Sequence, residues 1–96
     1  MHMERFIAEA GVIGYEERRR KFATILFTLG RVAQAIEAYP QATQFYAKGE
    51  QKFRNLNDTT AIENTLLMLQ DVYLRQGKKE QAERAASKIR NLRSSR

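Results

Sequence analysis

Apolar residues recur along nearly the whole chain at steps of three and four, the period of an amphipathic helix, while β-branched residues are scattered rather than alternating. The pattern predicts an all-α fold of about five helices. The first spans Met3 to Ala10, with Phe6, Ile7 and Ala10 on one stripe, and the "GVIG" run from Gly11 to Gly14 breaks or kinks it. The second runs from Tyr15 to Ala38, where Phe22, Ile25, Leu26, Leu29, Ala33 and Ile36 form one continuous apolar face that should point into a core. Pro40 then marks a new start, because a first turn has no use for the N–H that proline lacks. The third helix carries Ala42, Phe45, Tyr46, Gly49, Phe53 and Leu56 inward. "NLNDTT" at Asn55 to Thr60 reads as the clearest loop. Asp58 or Thr59 would cap the next helix, and Thr60 with Glu63 has capping-box spacing. The fourth helix, Thr60 to Gln76, buries Ile62, Leu66, Leu69 and Tyr73 and stops at Gly77, which tolerates a left-handed turn. The fifth, Lys79 to Leu92, buries Ala82, Ala85, Ala86, Ile89 and Leu92.

Two stretches of this pattern match each other. Aligning them puts Leu29 over Leu69, Ala33 over Tyr73, Ala42 over Ala82 and Tyr46 over Ala86, a period of 40 residues. Each copy is a helix, a tight turn and a second helix. Ala42 and Ala82 have a reason to be small: antiparallel helices joined by a short turn approach closely beside it, and a bulky side chain there would splay them. The expected division is therefore an N-terminal helix or cap over 1–14, a first helix-turn-helix repeat over 15–56, a second over 57–93, and a frayed tail over 94–96.

Composition narrows the chemistry. With 96 residues the chain makes one small domain at most, and without cysteine it has neither disulfides nor a thiolate metal site, as suits a cytoplasmic protein. The longest apolar run, Ala23 to Leu29, is too short for the roughly 20 residues of a membrane span, and no signal peptide is visible. Met1-His2-Met3 reads as an introduced start, so His2, the single histidine, supports no argument. The carboxylate sets Glu16 with Glu17 and Glu80 with Glu83, and Asp71, each sit beside arginine or lysine at helical spacing, as solvated ion pairs do. There is no nucleophile with a base, no metal-ligand cluster and no glycine-rich phosphate loop. No enzyme activity and no cofactor are expected.

Net charge is +6, and it is uneven: from Gly77 to Arg96 the excess is +5 over 20 residues. Lys78, Lys79, Arg84, Lys88, Arg90 and Arg93 should form a basic surface that solvates the last helix and favours its C-terminal dipole, or else meets an anionic partner. Nucleic acid is the competing partner class, since Tyr39, Phe45, Tyr46 and Phe53 lie among Lys48, Lys52 and Arg54. Against it, Phe45, Tyr46 and Phe53 share a stripe expected to be core.

The doubled unit resembles a tetratricopeptide repeat protein with two degenerate repeats. Leu26, Leu29-Gly30, Ala42 and Tyr46 in the first copy, and Leu66, Leu69, Tyr73, Gly77 and Ala82 in the second, stand at the family's motif positions. Ala33, Gln70 and Ala86 depart from the motif, and the spacing exceeds the family's usual 34 residues, with the surplus expected in the "NLNDTT" region. The resemblance implies hairpins stacked as a short right-handed solenoid whose concave groove holds a peptide or helix of a partner protein. Carried over by position, it points to Thr24, Phe27, Arg31 and Gln34 in the first repeat and Asn64, Leu67, Asp71, Leu74 and Arg75 in the second. The family's clamp for a C-terminal carboxylate is missing, because Phe27, Arg31, Leu67 and Asp71 stand where its Lys and Asn pairs would be. The expected function is a non-catalytic interaction scaffold. Phe27, Leu67 and Leu74 fall off the intramolecular stripes, so the N-terminal helix, a client helix or a second copy should cover them, and a homodimer is the expected assembly.

Overall fold

In the computed structural model the backbone is described for residues 2–95 and the side chains for residues 14–95. Four helices make up the fold: α1 (His2–Ala35), α2 (Tyr39–Asn55), α3 (Thr59–Arg75) and α4 (Lys79–Ser94). The expected fifth helix does not exist separately, because α1 runs through Gly11 and Gly14 without a break. A glycine inside a helix costs about 1 kcal/mol but removes no hydrogen bond, and no proline is present to do so. Since α1 continues in one piece, no N-terminal helix turns back over the rest of the molecule. The side chains of Phe6, Ile7 and Ala10 lie outside the described residues.

The three corners are built alike. Residues 37, 57 and 77 each adopt positive φ, at 61°, 54° and 73°. At each corner the amide that follows reaches back to a carbonyl five residues earlier: Ala38 N to Ala33 O at 2.8 Å, Asp58 N to Phe53 O at 3.1 Å, and Lys78 N to Tyr73 O at 2.8 Å. This is a left-handed C-terminal cap that satisfies orphan carbonyls and reverses the chain within three residues. Gly77 adopts the conformation freely, Asn57 tolerates it, and Glu37 bears the small cost of a side chain there. "NLNDTT" is accordingly no long loop. Its turn occupies only 56–58, like the others, and the residues by which the repeat exceeds 34 extend the helices instead. Asp58 is the cap, its carboxylate accepting from Ala61 N at 3.1 Å. Thr59 already lies in α3, so Thr60 and Glu63 form no capping box, and Glu63 accepts instead from Arg93 Nε of α4 at 3.1 Å.

Each helix packs on the next, α1 on α2, α2 on α3 and α3 on α4. The core holds Ala42, Tyr46 and Phe53 from α2, Ile62, Leu66, Leu69 and Val72 from α3, and Ala82, Ala85 and Ile89 from α4, close to the expected lists. Burying a Leu or Val side chain contributes about 1.5–3 kcal/mol relative to leaving it in water. Thr65 is buried too, its hydroxyl donating to Ala61 O at 2.7 Å. The buried carboxylate Glu50 joins α2 to α4, accepting from Arg54 Nε at 2.7 Å with Lys88 Nζ at 4.0 Å.

The main correction concerns α1. Its buried face is Ala23, Leu26, Gly30 and Ala33. Phe22, Ile25, Leu29 and Ile36, expected inside, are 50%, 53%, 40% and 72% exposed. The physical reason is room. A Cβ on Gly30 would lie 2.5 Å from Tyr46 Cδ1, so the tyrosine ring occupies the space that a side chain on α1 would need. The Tyr46 ring thus selects the sector of α1 that carries Gly30, with Gly49 of α2 lying against Leu26 and Ala23, and turns the bulkier row away.

Candidate functional site

Between α1 and α3 runs an open cleft of about 610 Å³, with Phe27 on α1 and Leu67 and Met68 on α3 as its apolar wall and Arg31, Gln34, Asn64 and Arg75 supplying polar groups. The helices hold these side chains in place because both hairpins place their first helix on the same side of the molecule. Phe27 is partly buried against the Tyr46 ring, 5.6 Å between centroids and tilted by 55°.

A hydrogen-bonded chain crosses the base of the cleft from α2 through α1 to α3. The Tyr46 hydroxyl donates to Gln34 Oε1 at 2.8 Å, Gln34 Nε2 donates to Asp71 Oδ2 at 2.7 Å, and Arg75 Nε donates to the same oxygen at 3.0 Å. Each bond fixes the next: the Gln34 amide has an acceptor on one side and a donor on the other, so only one of its two orientations satisfies both. Burial pushes the Tyr46 hydroxyl above its ordinary value of 10.0, the nearby Arg31 charge opposing and Asp71 adding to the shift. The hydrogen bond to Asp71, and then the Asp71 charge, raise the Arg75 guanidinium, with Tyr39 contributing further. Arg31 takes part in none of the ion pairs among the described residues, and so its charge is available to a ligand.

Of the nine residues that the family resemblance points to, Phe27, Arg31, Gln34, Asn64, Leu67 and Arg75 line this cleft together. Asp71 sits behind them, held by Gln34 and Arg75. Thr24 lies a turn away, its hydroxyl spent on Arg20 O at 3.0 Å, and Leu74 is exposed without lining the cleft. Sequence reasoning missed Ala35, Glu37, Tyr39 and Met68. The α1–α2 corner delivers Glu37 and Tyr39, and periodicity within a helix carries no signal for a turn.

The basic surface on α4 is less free than its composition suggests. Arg90 pairs with Glu83 at 2.8 Å, Arg93 with Glu63 at 3.1 Å, and Arg84 and Lys88 approach Glu80 and Glu50 at 4.0 Å. Lys78 and Lys79, at the α3–α4 corner, make no ion pair among the described residues. The aromatic residues weighed as base-stacking platforms are occupied elsewhere: Tyr46 and Phe53 are buried, and Tyr39 and Phe45 are partly buried against the core. Among the described residues no group of three His, Cys, Asp or Glu side chains is placed to hold a metal ion, and no helix is long and apolar enough to cross a membrane. Comparison with protein-family models, curated proteins and solved structures finds no match to this chain.

Proposed function

We propose that the chain is a non-catalytic interaction module, a short tetratricopeptide-like right-handed solenoid of two hairpins whose α1–α3 cleft holds a peptide or helix of a partner protein. The observation that carries this reading is the cleft itself, in which an apolar wall of Phe27, Leu67 and Met68 stands beside the polar groups of Arg31, Gln34 and Arg75. An apolar pocket with a few fixed polar groups is the general form of a ligand site. The Tyr46–Gln34–Asp71–Arg75 chain supports the reading further, because it holds the two walls in register before anything binds. The occupant matching this surface is an amphipathic segment whose apolar side chains meet Phe27 and Leu67 and whose polar edge includes an acceptor for Arg31.

Selection of short peptides from a displayed random library on the immobilised chain tests it. Recovered peptides should bind wild type and the surface control Gln51→Asp, lose binding to Leu67→Asp, and respond little to salt between about 50 and 200 mM. Nucleic-acid binding would instead weaken by orders of magnitude over that range. Failure to enrich any peptide, or peptides that bind Leu67→Asp undiminished, would overturn the cleft as the site.

A further inference from the structure

The residues that α1 turns away from the core form a pattern of their own. Phe22, Ile25, Leu29, Val32 and Ile36 follow one another at steps of three, four, three and four, and Tyr15 continues the row one heptad earlier. All six are between 40% and 72% exposed. A strict three-four alternation is the seam of a left-handed helix pair, with Tyr15, Phe22, Leu29 and Ile36 at one set of core positions and Ile25 and Val32 at the other. Its cover among the described residues is partial: Arg19 lies over the Tyr15 ring at 5.5 Å and Lys52 over the Phe22 ring at 5.8 Å, and the row stays 40% to 72% exposed.

We infer that this seam is the interface of an antiparallel homodimer in which α1 pairs with α1 of a second copy. The inference goes beyond the cleft reading, uses a different sector of α1, and moves the self-association expected of Phe27, Leu67 and Leu74 to another face. Area supports a second copy. In that arrangement five half-exposed large side chains, Phe22, Ile25, Leu29, Val32 and Ile36, at on the order of 100 Å² each, present roughly 500 Å² per protomer and roughly 1,000 Å² between two, about the least a specific interface needs. A seam with this repeat is also complementary to itself, as two-fold pairing requires.

Charge decides the direction. Arg18 occupies a seam position and, with Arg19, makes no ion pair among the described residues, while the next two basic residues, Arg20 and Lys21, are held by Asp58 at 2.6 Å and Glu17 at 3.5 Å. Parallel pairing would set these clusters side by side. Antiparallel pairing places Ile25 opposite Leu29 and Phe22 opposite Val32 of the other copy, and carries each basic cluster to the C-terminal end of the facing α1. That end has no basic residue in its last turn, whereas the last turns of α2, α3 and α4 all contain one. It presents the negative end of the helix dipole together with Glu37, which makes no ion pair among the described residues. The facing cations would fill the role that basic side chains fill on the other three helices.

Light scattering on the 96-residue chain at tens of micromolar, with far-ultraviolet circular dichroism as a fold control, tests the interface. Wild type should weigh twice the 11.2 kDa of one chain. Ile25→Glu and Leu29→Glu, at exposed positions, should retain helical signal and fall to 11.2 kDa, while Leu67→Asp, which removes peptide binding, should remain dimeric. Because the chain has no cysteine, Glu17→Cys gives one spin-label site per protomer. Antiparallel pairing separates the two labels by about 30 Å along the helix axis, and parallel pairing by about 10 Å. A monomeric wild type, whether the seam is then bare or taken by another protein, overturns the inference. So does a dimer that survives Ile25→Glu and Leu29→Glu, or a label distance near the shorter value.

Discussion

Adding a single methyl group at Gly30 probes the contact that sets the orientation of α1. A Cβ there would lie 2.5, 2.6 and 3.0 Å from Tyr46 Cδ1, Cε1 and Cγ, where ordinary contact begins near about 3.5 Å. The ring would have to retreat by about 1 Å. It has no free direction, since Tyr46 is fully buried and its hydroxyl is fixed 2.8 Å from Gln34 Oε1. Overpacking of this kind costs about 1–3 kcal/mol, against which alanine for glycine in a helix gains about 1 kcal/mol. Gly49 on α2 supplies the control: a Cβ there meets Leu26 Cβ and Phe27 N at 3.6 Å and Ala23 O at 3.7 Å, ordinary contacts. The propensity gain is common to both substitutions, so the difference between Gly30→Ala and Gly49→Ala isolates the clash. Gly49→Ala should stabilise by up to about 1 kcal/mol. Gly30→Ala should fall below it by about 1–3 kcal/mol, or several degrees in Tm at 4–8 °C per kcal/mol for a domain of roughly this size. Urea denaturation followed by circular dichroism measures both, at one protein concentration because association adds to apparent stability. Combining Gly30→Ala with Tyr46→Ala should remove the penalty for the added methyl, a coupling of at least about 1 kcal/mol in the double-mutant cycle. Equal stability of the two single alanine variants would refute the seating of Tyr46 on Gly30, and with it the argument for which face of α1 is buried.

Three further outcomes follow from the same packing. Ala82→Leu, at a buried position beside the α3–α4 corner, should overpack the hairpin and lower stability by about 1–3 kcal/mol in urea melts, and an unchanged melt would remove the close approach assigned there. Asp58→Ala should cost about 1 kcal/mol by deleting the α3 cap, whereas Asp58→Asn should retain most of that and lose only the ion pair with Arg20 Nη1 at 2.6 Å; equal losses would discount the cap. Burial raises the Tyr46 hydroxyl above 10.0, so above that pH the unfolded chain releases this proton more readily than the folded one. Its contribution to stability is complete below pH 10 and is lost as pH rises through the folded value; Tyr46→Phe should flatten that part of the pH–stability curve, and a curve unchanged by the substitution would contradict the assignment.

The sequence by itself determined the all-α class and most of the element ends, though not that α1 runs unbroken through Gly11 and Gly14: the helical period, the stop at Gly77, the proline start of α2, the small residues Ala42 and Ala82 beside the corners, and most of the inward positions of α2, α3 and α4. Those helices carry one narrow apolar stripe each, so a single face is available to bury. The family resemblance pointed to Phe27, Arg31, Gln34, Asn64, Leu67 and Arg75 together, and they line one cleft because residues at equivalent places in two hairpins face the same side. The structure adds a shorter period: Ala42, Ile62 and Ala82, like Gly49, Leu69 and Ile89, are buried at intervals of 20 residues, so the corners are equivalent and Asn55 to Thr60 holds no long loop. What only the tertiary structure decided was the orientation of α1. Its apolar residues cover an arc wider than one neighbour can bury, and a period of 3.6 identifies a helix without saying which sector of a broad arc meets its partner. Close packing made that choice: the Tyr46 ring on α2 occupies the space over Gly30, Gly49 lies against Ala23 and Leu26, and the row from Phe22 to Ile36 was left facing outward.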